Sequence, residues 1–475
     1  MWCVSLSLDW DKVIEWDKKY YLRIKQSLEE WTPIPVERVE GCYIITPDGT
    51  KILDFLSGLI SVNAGQRQPR VVEAIKRALD KYGYVWELMQ NPYKSLAAKL
   101  IVEDILGKDG WAGKVRFVCS GSEANEEALI LAKLYTGRPF IISREFSYHG
   151  WTLGAGSCST FRWWRNTLTN ARGEYREVQG FPAQGFFVAR APFCYRCPYG
   201  YESPSECRSG GYVACLKDME YMIQNLGPQN VAAVITEIIS GGGLVMSPPE
   251  WIKGLRDLTR KYGVLWVDDE VMTGFGRTGR WFCYQHYGVT PDIMTMAKGI
   301  VSCQLPAAGV VVSKEIADFL EGYRWWHSPT FSSHPVVMAA VCENIKLMME
   351  EDLPARAAKM GEYLGRRLGE LEPKHECVGQ VTGIGLFWGI ELVRDKRKKE
   401  PFFPEDRFTK GTGDVSKWAV NIVQAKALEK GVLVGGFTPN CLRIGPALIV
   451  TQEEIDVAVD AIDYALTTLD AECRT

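Results

Sequence analysis

The chain has 475 residues, 46% hydrophobic and 24% charged, with a formal net charge of −3. That length exceeds what one hydrophobic core supports and predicts two packed regions, while the even spread of charge excludes a nucleic-acid surface built from basic blocks. Met1–Trp10 is too polar for a secretory signal and no apolar stretch reaches membrane-spanning length, so a soluble, cytoplasmic protein is expected.

An amphipathic helix is expected over Trp10–Leu28, then short strands on either side of the turn Pro47-Asp48-Gly49, together an arm. From about Val71 helical patterns alternate with apolar runs at Val115–Val118, Phe140–Ile142, Val231–Ile235, Val264–Val267, Ile293–Met296 and Gly309–Val312. This alternation predicts an α/β region whose largely parallel sheet is covered by helices on both faces. After Pro335, a long helix through Met349, a second through Leu371 and a strand at Leu386–Leu392 predict a smaller α+β region. The expected boundaries are 71–330 for the large domain, with 1–70 as the arm and 331–475 completing the small domain. The stretch Asp395–Asp414, rich in glycine and charge, reads as an exposed loop.

Fourteen cysteines, mostly isolated among apolar residues, fit a reducing compartment better than a disulfide framework. Cys194, Cys197, Cys207 and Cys215 begin with a C-x-x-C pair and could supply four thiolates to zinc. A second C-x-x-C is missing, packed reduced thiols are the ordinary reading, and no metal is assigned.

In open parallel sheets ligands sit beyond the carboxyl ends of the strands, and three such ends carry chemistry. Ser120-Gly121-Ser122-Glu123-Ala124-Asn125 opens a helix, which suits either a phosphate or ordinary N-capping. Val267-Asp268-Asp269-Glu270 places three acids in a row, so at least one requires a partner, either a salt bridge or a ligand cation such as a pyridinium N–H. Ala297-Lys298-Gly299 ends an apolar strand with a lysine that either snorkels to solvent or, desolvated, becomes a nucleophile.

Taken together these segments resemble the class III, or ω-amino acid, aminotransferases of pyridoxal-phosphate (PLP) fold type I. The same order holds for Leu53-Asp54-Phe55-Leu56-Ser57-Gly58, Tyr148-His149-Gly150, Glu237, Asp269 to Gly279, Thr330-Phe331-Ser332-Ser333-His334-Pro335 and Leu442-Arg443-Ile444. The resemblance implies a large domain with a mostly parallel seven-stranded sheet, a smaller α+β domain, and a C2 homodimer. It implies that Lys298 binds PLP covalently and moves the substrate proton, and that Asp269 keeps the pyridine nitrogen protonated. Ser120, Gly121 and Ser122 would cradle the phosphate, Tyr148 and Val271 would cover the two ring faces, and Thr330 would reach the phosphate of the neighbouring subunit. His149 and Glu237 would support the cofactor, and Arg443 would grip a substrate carboxylate.

The chain departs from the family's ornithine and 4-aminobutyrate branches, where an acid stands five residues after the position of Glu237; here it is Gly242. Phe55 to Gly65 instead resembles the β-alanine, taurine and ω-amino acid:pyruvate branch, with Ile60 at a substrate position that is often aromatic there. Gly65-Gln66-Arg67-Gln68-Pro69 adds a cation. Arg443, helped by Arg67 or Arg162, is therefore expected to hold the sulfonate or carboxylate of taurine or β-alanine, and later that of 2-oxoglutarate or pyruvate. Alternatives are another PLP reaction on the same fold, such as an aminomutase, racemase or decarboxylase, or a non-enzymatic metal-binding or regulatory protein.

Overall fold

The computed structural model describes residues 9–473 except 25, 27, 30, 162–166, 170–174, 178–181, 209–212 and 405–416. Seven strands form the central sheet in the spatial order Ala112–Val118, Ala308–Ser313, Ile293–Met296, Leu265–Asp269, Val231–Thr236, Phe140–Arg144, Phe186–Ala189. Ala308–Ser313 runs antiparallel to both its neighbours and every other pair is parallel. All six predicted runs lie in this sheet. Val231–Thr236 and Ile293–Met296 are buried throughout, because helices cover both faces and leave no side for polar alternation. The edge strand Phe186–Ala189 escapes sequence reading because it is only four residues long and half-buried.

The helices predicted after Pro335 are Pro335–Glu350 and Leu353–Gly369, followed by a short turn of helix, Leu371–Lys374. The predicted strand is Phe387–Asp395, which pairs with Val378–Ile384, Glu400–Pro401 and Cys441–Ile444, all antiparallel. Val378–Ile384 was not anticipated, since Gly379 and Gly383 dilute its apolar signal. Both glycines permit close packing: a methyl group at Gly383 would overlap the Trp388 indole. Glu400–Pro401 falls inside the stretch read as a loop, and the remainder of that stretch from 405 lies outside the described residues.

The arm helix is shorter than expected, Trp10–Tyr20 rather than Trp10–Leu28. It buries no residue, so no tertiary contact extends it, and Arg23 closes its end by donating to the Asp17 carbonyl at 3.2 Å. Strands Arg38–Glu40, Tyr43–Ile45 and Lys51–Asp54 follow, and Val432–Leu433 joins Lys51–Asp54 in parallel.

One buried cation fastens these layers. Arg277, fully buried, donates through Nη1 to the carbonyls of Leu386 and Pro446, and through Nη2 to Asn63 Oδ1 at 2.9 Å. Burial pulls its pKa down to about 9, so its charge is held by backbone dipoles rather than by a carboxylate. Arg277→Met would strip three acceptors of their donor and is expected to cost roughly 3 kcal/mol or more. Denaturant titration tests this; an unchanged midpoint would remove Arg277 from that structural role.

Candidate active site

Alternation along Leu265–Asp269 sends Asp268 and Asp269 to opposite faces of the sheet. Asp269 is buried and fully partnered. Its Oδ2 accepts from Asn125 Nδ2 at 2.8 Å and pairs with His149 Nδ1 at 2.7 Å, while Oδ1 accepts from the Val271 N–H at 3.0 Å. Asn125 lies in the first turn of helix Gly121–Thr136, also donates to the His149 carbonyl at 2.6 Å, and accepts from Thr295 Oγ1 at 2.8 Å. Sequence reasoning gave Asn125 and Thr295 no role. The available signal was their position, one in the first helical turn and the other three residues before Lys298.

The other two acids of the triplet behave differently. Glu270 accepts from Thr273 Oγ1 and from the Tyr284 N–H at 3.0 Å, and burial lifts it to about 7. Asp268 is buried beside Glu270, and no donor among the described residues reaches either of its oxygens. Burial, followed by the neighbouring Glu270 and Asp269 charges, raises its pKa well above the carboxylate range.

Lys298 follows strand Ile293–Met296 with φ +49°, a conformation rare for a side-chain-bearing residue and often found at functional sites. Desolvation lowers its pKa; Asp269 and Cys303 act the other way, and Arg443 adds to the lowering.

Ser120 caps helix Gly121–Thr136 in a reciprocal capping box with Glu123, so the ordinary N-capping reading holds for its hydroxyl. The helix N-terminus still points its free N–H groups outward. Gly121 lies so close to Val271 that an added methyl group would meet its Cγ1 at 3.0 Å, and one at Gly150 would meet Ser122 Oγ at 2.5 Å. Glu237, buried, accepts from the Tyr148 N–H at 2.9 Å and the Gly241 N–H at 2.8 Å, tying two loops together.

Arg443, on strand Cys441–Ile444, is buried with its guanidinium 3.7 Å from the centre of the Phe437 ring. Nη1 donates to the Gly241 carbonyl, Nε has no partner, and no carboxylate among the described residues forms an ion pair with it. Desolvation lowers it to about 9. Gly242 is more than a missing acid: a methyl group there would overlap Phe161, whose ring packs on Phe146. Ile60 is fully buried against Gly445, two residues beyond Arg443. Arg67 and Thr330 are exposed, and Thr330 enters none of the hydrogen bonds joining Asp269, His149, Asn125 and Glu237. Arg162 lies outside the described residues.

An amine, a buried carboxylate held by Asn125, His149 and a backbone N–H, a helix N-terminus and a buried His149 Nε2 without a partner among the described residues suit PLP. When bound, PLP supplies a ring that withdraws electrons from the substrate carbon.

Two outcomes follow. An unfolded aspartate ionises near about pH 3.9, whereas Asp268 in the fold keeps its proton well above that, so its contribution to stability is lost as pH rises towards the raised pKa. Asp268→Asn should therefore raise the thermal midpoint more at about pH 8 than at about pH 5; an equal shift would refute it. Gly242→Ala must displace the Phe161 ring and is expected to destabilise by about 1–3 kcal/mol, read from the unfolding midpoint; a neutral substitution would show that the ring yields freely.

The class-III aminotransferase family model matches residues 25–466. An S-selective transaminase from Arthrobacter sp. superposes with a TM-score of 0.92 at 45% identity, over 98% of this chain and 99% of that one. A putrescine–pyruvate aminotransferase from Pseudomonas aeruginosa is 34% identical, over 89% of this chain and 88% of its own length. A taurine–pyruvate aminotransferase from Bilophila wadsworthia is 32% identical, over 98% of this chain and 99% of its own. With likeness running the length of the chain and Lys298, Asp269 and the capped helix meeting at the carboxyl ends of the parallel strands, this protein belongs to the class III aminotransferases, PLP-dependent enzymes of fold type I.

Proposed function

We propose that the enzyme takes the amino group of a short ω-amino acid, taurine or β-alanine, and passes it to a 2-oxo acid such as 2-oxoglutarate or pyruvate. The observation that carries this reading is Arg443. A buried guanidinium with no carboxylate partner among the described residues is poised for an incoming anion. The sulfonate or carboxylate of the donor and the carboxylate of the acceptor would use it in turn.

In this reading Lys298 would hold PLP, and its buried amine is the group placed to take and return the proton of the substrate carbon. The desolvation that lowers its pKa raises the fraction of neutral amine able to do so. Asp269, oriented by Asn125 and His149, holds the proton on the pyridine nitrogen. Gly121 and Ser122 would receive the phosphate at the helix N-terminus that Ser120 caps, and Tyr148 and Val271 would cover the ring. Glu237 acts through the loops it joins, positioning Tyr148 and Gly241. Thr330 and Arg67, exposed in the single chain, would meet the cofactor and the pocket mouth of a second copy in a homodimer. Ile60 would shape the donor pocket from below Gly445. No helix among the described residues is long and apolar enough to cross a membrane, and a cytoplasmic enzyme belongs to the same proposal.

A second reading has its own support. Phe161, Phe146, Phe193 and Phe437 form aromatic walls near Gly241 to Gly243 and Arg443, which suit a primary amine with an apolar substituent. The 45% identity to an S-selective transaminase points the same way.

Donor half-reactions decide between them. The holoenzyme is mixed with taurine, β-alanine, putrescine or a chiral arylalkylamine, without acceptor, and the visible absorbance of the lysine-bound cofactor is followed. Loss of the band with taurine or β-alanine supports the first reading; response to the arylalkylamine alone supports the second. Lys298→Ala is expected to abolish turnover with every donor, and full activity in that variant would overturn the assignment of the central lysine.

A further inference from the structure

The cysteines left as packed thiols by the sequence are gathered by the fold. Cys194 and Cys197 stand in a turn, Cys207 ends the short helix Pro204–Cys207, and Cys215 lies in the first turn of helix Ala214–Leu226. All four line one cavity of about 20 Å³, alongside Phe193, Tyr199 and Val213. That volume admits a single atom-sized occupant. Cys194 lies within electrostatic reach of Cys197 and Cys207, and Cys215 within reach of the other three. None is in a disulfide. Cys207 Sγ accepts the Ala214 N–H at 3.3 Å, the kind of outer hydrogen bond that supports a metal-bound thiolate. Arg208 also lines this cavity.

We propose that Cys194, Cys197, Cys207 and Cys215 form a structural zinc site. Four sulfurs in a closed shell select a tetrahedral ion, and zinc is the non-redox ion that fits. Binding deprotonates the four thiols: one Zn²⁺ enters, four Zn–S bonds form and four protons leave, with no change of oxidation state. The sulfurs of a tetrahedral site with bonds of about 2.3 Å lie roughly 3.8 Å apart. Here no three of the sulfurs lie within 4.8 Å of one another, so binding would require them to close in around the ion. The one tighter group of potential ligands among the described residues, His375, Cys377 and Asp470, is unsuited. Both ring nitrogens of His375 already face carboxylates at 2.7 Å, Nδ1 on Asp470 and Nε2 on Asp463.

The site has a structural purpose. Phe193 packs on Phe146, which packs on Phe161, the ring that covers Gly242. Arg196, inside the C-x-x-C turn, pairs with Glu391 on the strand beside that of Arg443. Zinc would therefore fix one wall of the donor pocket to the second sheet.

The test uses the holoenzyme purified under reducing conditions without added metal. Elemental analysis should find about one zinc per chain, released by a thiol-blocking mercurial, and cobalt exchange should give the intense near-ultraviolet absorption of a thiolate–cobalt centre. Cys207→Ser and Cys215→Ser should lose the zinc while keeping PLP, and Cys473→Ser, at a half-buried thiol of the last helix, should keep both. If the cluster variants fail to fold, the cobalt spectrum of the unaltered chain decides. Zinc below roughly a tenth per chain after incubation with zinc chloride, with no cobalt–thiolate band, overturns the proposal; so does a Cys194–Cys197 disulfide in the reduced, purified protein.

Discussion

A carboxylate removed from water at the end of a buried strand must be surrounded by donors or give up its charge, and this constraint organises the site around Asp269. Its partners come from the helix beginning at Gly121, the loop at His149 and the turn at Val271, and Thr295 anchors Asn125 from the neighbouring strand. Four chain segments thereby converge on one group. The same convergence leaves Lys298, three residues beyond Thr295, close enough to Asp269 to feel its charge. Asp268, one residue earlier, faces away and has no such donors, so it is better described as a neutral acid.

Buried guanidinium groups show the same rule with two outcomes. Arg277 spends its donors on carbonyls and an amide from the arm, the second sheet and its following loop, and serves as a fastener. Arg443 spends only part of its capacity, on the Gly241 carbonyl and the Phe437 ring. The first reaches carbonyls and an amide in separate segments and the second a single carbonyl, each leaving Nε without a partner among the described residues; burial alone does not tell them apart, whereas partner geometry does.

The surroundings of Gly242 are governed by glycine and aromatic packing. Gly242 reads in the sequence as the loss of an acid, yet Phe161 occupies the space a side chain would need. The backbone at Gly242 and the Phe161 ring therefore share one packed space, which no side chain enters without displacing the ring. Family motifs describe such packing poorly, because side-chain shape around a site varies while the cofactor chemistry does not.

The sheet was legible because strands buried on both faces need unbroken apolar runs, and six of the seven announce themselves in that way. The family was legible because Lys298, Asp269, Gly121 and Arg443 sit in local motifs whose order survives without any knowledge of contacts. Tertiary structure alone revealed that Asn125 and Thr295 brace Asp269, that Arg277 joins three layers, and that Cys207 and Cys215 come to the C-x-x-C turn. Nor could local patterning end the arm helix at Tyr20 or pair Val378–Ile384 with its hairpin partner. Periodicity and motif report which face of an element is apolar and which residues are reactive; hydrogen bonds between residues more than a hundred positions apart depend on how those elements are brought together, and that is decided only when the chain folds.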